Sequence, residues 1–212
     1  DSVKFFAFKI YTEACRSNSF RKFLEKARTE NRTTFITSPG IYNTPSASNI
    51  LLKETVILIN SWCSISHLPP IKILEQSKLE ESQPNYSQSK LADRMVSNHN
   101  ANIMPEIFKD GCVIYIDDVY ITGTVAKNAK ERLYSESKAN SVFFLFGIKV
   151  DPAVVEKTDG QVEEMLNRYQ IKGSLECLRK VIDDEFQPTQ KTLRDLLAET
   201  NRKELPHFLD SL

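Results

Sequence analysis

Two short, almost continuously apolar runs with an amphipathic segment between them constrain the fold of this 212-residue chain. Residues 113–116 (VIYI) and 141–150 (SVFFLFGIKV) have the composition of strands buried on both faces, which is typical of parallel sheets. Between them, residues 124–137 carry apolar side chains at helical spacing. A strand, a helix and a second strand in this order predict a βαβ unit, and therefore an α/β fold.

The earlier part of the chain continues the same alternation. The predicted elements are a helix over 3–28 interrupted at Asn18-Ser19, a strand over 33–37, a helix capped by Ser46 or Ser48 that ends near Trp62, and a strand over 71–74. We therefore expect one domain over 1–150, with a parallel sheet of four or five strands and helices on both faces of the sheet.

Two segments depart from this pattern. Residues 75–89 (EQSKLEESQPNYSQS) are almost entirely polar, which predicts a long loop, and a further helix is predicted over 90–98. From residue 151 onward only helical patterns occur. We predict that 151–212 is a helical appendage that covers the sheet or a partner.

Composition excludes several classes of protein. Lys+Arg and Asp+Glu both number 28, so the basic excess typical of proteins that neutralise nucleic-acid phosphates is missing. No apolar run is long enough to span a membrane. The four cysteines form no CxxC pair and the three histidines are isolated, which argues against a zinc site or a disulfide framework. Scattered cysteines and the lack of a recognisable export signal lead us to expect a reducing, cytoplasmic compartment.

The stretch from Val113 to Ala126 (VIYIDDVYITGTVA) contains the residues best suited to chemistry. A buried strand delivers Asp117 and Asp118 at its carboxyl end, where open α/β sheets bind ligands. A turn containing Gly123 follows, and then the N-terminus of a helix, whose free amides and dipole suit a phosphate group. Carboxylates beside such a helix end can bind sugar hydroxyls or a hydrated cation. A phosphate, a diol and a cation together describe a phosphorylated ribose.

This stretch resembles the signature of type I phosphoribosyltransferases, in which a strand leads to an acidic pair and then to a Thr-Gly turn. The resemblance implies transfer of the phosphoribosyl group of 5-phosphoribosyl-1-pyrophosphate (PRPP) to an undetermined base, with Mg²⁺ and release of pyrophosphate. It implies a role in nucleotide metabolism, a small-molecule base as partner, and is compatible with a homodimer. The implied site residues are Asp117 and Asp118 for the ribose hydroxyls and Mg²⁺; Thr122, Gly123, Thr124 and Val125 for the 5-phosphate; Ser38, Pro39 and Gly40 for pyrophosphate; and Lys78 and Lys90 near a lid over 75–89.

Three positions bear on which acceptor such an enzyme would use. Many members of the family have Thr or Ser where this chain has Val125, although Gly123-Thr124-Val125 is similar to the Gly-Thr-Ala of orotate phosphoribosyltransferases. Ile121 stands where the hypoxanthine–guanine enzymes place an Asp that acts as a base toward the purine. Lys149 lies near the position at which those enzymes recognise a purine oxygen.

Ile121 and the tail also support a second hypothesis, a non-catalytic module that senses PRPP or a nucleotide and signals through residues 151–212. A third hypothesis is an interaction protein with a vestigial pocket, which predicts no thermal shift with PRPP. Binding, turnover and thermal shift together distinguish the three.

Overall fold

The computed structural model describes residues 2–41, 46–76 and 108–159, together with positions 162, 206 and 207. Its elements, in chain order, are α1 (Ser2–Arg16), α2 (Asn18–Thr29), β1 (Thr34–Thr37), α3 (Ala47–Ile65), β2 (Lys72–Ile73), β3 (Cys112–Tyr120), α4 (Thr124–Ser135), β4 (Ser141–Lys149) and α5 (Pro152–Lys157). The strand order is β2-β1-β3-β4 and every pair of neighbours is parallel. The predicted α/β class and parallel sheet are confirmed.

Helices cover both faces of the sheet, as predicted. On one face, α1, α2 and α3 pack against alternate strand residues that include Ile36, Ile114 and Ile116. On the other face, Ala129 and Leu133 of α4 pack against Val113 and Tyr115. Because successive residues of a strand point to opposite faces, β3 must be apolar at nearly every position from 112 to 116, and it is.

The helix boundaries follow local signals in the sequence. The helical pattern over 3–28 is broken at Ser17, whose side chain accepts a hydrogen bond from the Phe20 amide and caps α2. Ser46 is the N-cap residue of α3, which settles the choice between Ser46 and Ser48. The helix predicted over 124–137 is α4.

β3 is longer than the predicted strand over 113–116. Its pairing with β4 continues through Asp117↔Phe146 to Tyr120↔Lys149, whereas β1 ends opposite Tyr115. The strand therefore continues through the acidic pair and ends two residues after Asp118. A long partner strand keeps the backbone extended even where side chains turn polar.

Several predictions lie wholly or partly outside the described residues: the loop over 75–89 beyond Gln76, the helix over 90–98, and nearly all of 151–212, of which α5 is described. The division into 1–150 and 151–212 stays a prediction. Within the ranges that the structure covers, no helix is long and apolar enough to cross a membrane.

Candidate functional site

The candidate site lies at the carboxyl edge of the sheet, where β3 extends beyond the end of β1. Thr37, the last residue of β1, is opposite Tyr115, so Asp117 and Asp118 stand just past the point where β1 stops. The chain leaving β1 passes through residues 38–40 and then enters α3, whose first turn is at this same edge. The geometry therefore brings the acidic pair, the loop after β1 and the start of α3 together.

Ser48, in the first turn of α3, bonds both carboxylates. Its hydroxyl donates to Oδ1 of Asp117 at 2.7 Å and lies 3.2 Å from Oδ1 of Asp118. Each carboxylate also accepts from the backbone, Asp117 from the amide of Asp118 at 3.0 Å and Asp118 from the amide of Val119 at 2.9 Å. Because a hydroxyl carries one proton, the shorter bond to Asp117 takes most of its donating capacity.

The two carboxylates differ in exposure. Asp117 is 6% exposed, whereas Asp118 is half-buried. Burial, and after it the negative charge of Asp118, raise the pKa of Asp117 to about 7, and the hydrogen bond from Ser48 only partly opposes this. Asp118 is thus the more accessible of the pair, and ionisation is unfavourable mainly at the buried Asp117.

The turn after β3 is built around Gly123. This residue has φ of 79°, and a Cβ there would lie 2.9 Å from Cζ of Tyr120 and would overlap its hydroxyl, so only glycine fits. The Thr122 and Thr124 hydroxyls are 2.8 Å apart, and the Thr124 amide donates to Thr122 Oγ1. The sequence motif therefore folds as predicted into a tight turn that enters a helix.

The start of α4 has the features of an anion site. Its N-cap position is Gly123, which has no side chain to accept from the first amides of the helix. The Thr124 amide already donates to Thr122 Oγ1, so the later amides of the first turn are the ones left for a ligand. Thr122, Gly123, Thr124 and Val125 are all half-buried rather than covered. These amides, two hydroxyls and the positive end of the helix dipole suit a phosphate group.

Asn49 anchors the loop of residues 38–40. Its Nδ2 donates to the Ser38 hydroxyl and to the Pro39 carbonyl, both at 2.8 Å. Ser38 and Gly40 are buried and Pro39 is half-buried. The first turn of α3 thus connects this predicted pyrophosphate loop to the acidic pair, because Asn49 bonds the loop and Ser48 bonds the carboxylates. The Ser38 hydroxyl already accepts a hydrogen bond from Asn49.

Two aromatic contacts border the site on the β4 side. The Tyr120 ring packs edge-on against Phe146 at 4.9 Å between centroids, and Nζ of Lys149 lies 5.9 Å from the Tyr120 centroid. Tyr115 is fully buried in the sheet, as expected. Lys149 is brought to the same edge as the acidic pair, whereas Lys78 and Lys90 lie outside the described residues.

Sequence reasoning missed the roles of Ser48 and Asn49, because both residue types are ordinary near a helix N-terminus. The available signal was topological. In a parallel sheet the helix after β1 begins at the edge where β3 ends, so polar residues in its first turn face the acidic pair.

Comparisons with known proteins return little. No protein-family model matches this sequence, and the search of curated proteins finds no significant match. Among solved structures, the chain is similar to a hypoxanthine phosphoribosyltransferase from Staphylococcus aureus, with a TM-score of 0.33 and 14% identity, over 65% of this chain and 62% of that one. The match thus spans less than two thirds of that enzyme, and at these values it does not establish a shared family or activity.

Proposed function

We propose that this protein binds PRPP together with Mg²⁺ and transfers its 5-phosphoribosyl group to a base or base-like nucleophile. The observation that carries the proposal is the placement of the acidic pair, with Asp117 five and Asp118 four residues before Thr122, at the carboxyl end of the strand that leads into the N-terminus of α4. This arrangement provides anion-binding amides and diol-binding carboxylates at one edge of the sheet.

Each part of the site has a distinct task in this proposal. The amides and hydroxyls of Thr122–Val125 hold the 5-phosphate. Asp118, the more accessible carboxylate, accepts hydrogen bonds from the ribose hydroxyls. The buried Asp117 lies beside it and accepts from the Asp118 amide. Residues 38–40 meet the pyrophosphate end, next to the start of α3.

The residues present fit a shared magnesium ion. In the part of the chain that the structure describes, no cluster of three or more His, Cys, Asp or Glu side chains could hold a metal by itself. Mg²⁺ commonly uses one or two carboxylates and completes its shell with water and substrate phosphates. Asp117 and Asp118 would hold it with the substrate, and a magnesium ion there would neutralise charge on pyrophosphate.

The chemistry is a displacement at C1 of the ribose. The nucleophile forms a bond to C1 while the C1–O bond to pyrophosphate breaks, and the bonding electrons leave with pyrophosphate. Positive charge develops at the sugar, so the nearby carboxylates and the fixed dipoles stabilise the transition state electrostatically. Holding the phosphate and hydroxyl ends of the ribose also fixes the direction of attack.

Calorimetry with PRPP and Mg²⁺ tests the binding half of the proposal. We expect saturable binding to the wild type and none to the Asp117→Asn/Asp118→Asn double variant. Asp110→Asn is the matched control, because Asp110 is exposed and precedes β3 at the opposite edge of the sheet. Unchanged PRPP affinity in the double variant would remove the carboxylates from the site.

Ile121 favours a second candidate function, a PRPP sensor without catalysis. This half-buried residue cannot accept a proton, yet it occupies the turn beside the proposed ribose. Release of pyrophosphate in the presence of a panel of purine and pyrimidine bases separates the candidates. Turnover with any base supports the transferase, whereas PRPP binding without turnover on the whole panel supports the sensor.

A further inference from the structure

Two consecutive residues in the first turn of α3 reach the two halves of the candidate site. Ser48, 3% exposed, donates to the acidic pair on β3. Asn49, 4% exposed, donates to Ser38 and to the Pro39 carbonyl in the loop after β1. Buried polar side chains that bond residues 69 and 11 positions away do more than cap their own helix.

Helix geometry explains how neighbours serve different partners. Successive side chains of an α-helix are about 100° apart around its axis. Ser48 therefore faces the end of β3, while Asn49 faces the end of β1. The backbone between them belongs to a regular helix of 19 residues, so the two directions are fixed relative to each other.

The orientation of the Asn49 amide is determined by its neighbours. Its Oδ1 accepts from the Ser46 amide at 2.6 Å and from the Ser46 hydroxyl at 2.8 Å. A backbone N–H can only donate, and the Pro39 carbonyl can only accept, so the amide cannot be flipped. All the donors and acceptors of Asn49 are then used, which makes it a rigid link between α3 and the loop.

We propose that Ser48 and Asn49 are positioning residues, Ser48 for the ribose-binding carboxylates and Asn49 for the pyrophosphate loop. One turn of α3 then sets the spacing between the two ends of the substrate site. The inference rests on the proposed PRPP-binding function and adds to it residues that touch no substrate. It requires that a substitution at either residue weaken the binding of one half of the ligand and leave the binding of the other half nearly unchanged.

Two fragments of PRPP serve as probes of the two halves, ribose 5-phosphate and pyrophosphate, each measured by calorimetry without Mg²⁺. Magnesium is left out because the acidic pair would hold it against pyrophosphate and so couple the two halves. We expect Ser48→Ala to weaken ribose 5-phosphate about 10-fold, because a hydrogen bond to a charged group is lost, and to change pyrophosphate affinity less than 2-fold. We expect the reverse for Asn49→Ala. Ser61→Ala is the matched control, because Ser61 lies further along α3 and bonds only the carbonyl of Ile57 in the described structure.

Conservative variants separate positioning from folding. Ser48→Thr keeps the hydroxyl and should restore ribose 5-phosphate affinity, and Ser48→Cys keeps the size with a weaker donor if Ser48→Ala does not fold. If the wild type binds PRPP but each variant loses affinity equally for both probes, or loses none, the positioning roles are wrong and the proposed function is unaffected. If the wild type binds neither PRPP nor its fragments, the proposed function falls and the positioning roles fall with it.

Discussion

Replacing Asp117 with asparagine should make the ligand-free protein more stable at alkaline pH. The wild-type carboxyl is 6% exposed and lies beside Asp118, and its pKa is raised from an ordinary value of 3.8 to about 7, first by burial and then by that neighbouring charge. In the unfolded chain the same group loses its proton near pH 4. The folded state therefore binds the proton more tightly, and stability falls as pH rises from about 4 to about 7.

The magnitude follows from the difference in pKa. A tenfold change in a protonation equilibrium is ~1.4 kcal/mol, so the change from 3.8 to about 7 corresponds to roughly 4 kcal/mol above pH 7. Asparagine removes this penalty but keeps an amide to be desolvated, which returns ~1–3 kcal/mol. Its Oδ1 can still accept from Ser48 and from the Asp118 amide. We expect a net gain of about 1–3 kcal/mol at pH 8.

Thermal and urea unfolding at pH 5 and pH 8 measure this effect. For a chain of this size, the gain at pH 8 corresponds to a rise in Tm of roughly 2–12 °C. At pH 5 the wild-type carboxyl is largely protonated and the gain should nearly vanish. Asp110→Asn controls for the loss of one surface charge. A variant whose stability relative to wild type is the same at both pH values, or matches the control, would refute the electrostatic reasoning.

Four further substitutions test the backbone of the site and of the surrounding sheet. Gly123→Ala should destabilise by about 1–3 kcal/mol in urea unfolding and weaken phosphate binding, because the residue has positive φ; wild-type stability would contradict the turn. Gly147→Ala places a Cβ 2.8 Å from the backbone carbonyl oxygen of Asp118. Gly111→Ala places a Cβ equally close to the Phe35 side chain, at the edge of the sheet opposite the candidate site. Both should lower Tm, but only Gly147→Ala should also weaken PRPP binding in calorimetry. Asn60→Ala removes two bonds to the backbone before β2 and should cost about 1–3 kcal/mol with PRPP affinity unchanged.

The fold was largely predictable because its strands are buried on both faces. Runs such as 113–116 and 141–150 are typical of strands buried on both faces, and the helical spacing between them favours a βαβ connection. The end of β3 was not predictable in the same way. Whether the backbone stays extended through Asp117 depends on β4, which forms its pairs from residues 29 positions later.

The candidate site was predictable only where its residues are contiguous. Asp117 and Gly123 follow one strand and one turn, so local sequence places them together. The exposure of each carboxylate was not predictable, because it depends on where the first turn of α3 lies. The same limitation hid the bond from Ser48, a residue type that local reasoning assigns to capping.

The raised pKa of Asp117 links stability to function in this protein. A buried carboxyl beside a second one is unfavourable when both are ionised, and apolar residues would make a more stable strand end. Strongly perturbed acids of this kind concentrate at sites where a ligand relieves the strain. A cation or sugar hydroxyls placed against Asp118 would lower the repulsion that Asp117 feels. Binding of the proposed ligand should therefore relieve this repulsion. The ligand should then stabilise the wild type more than it stabilises Asp117→Asn.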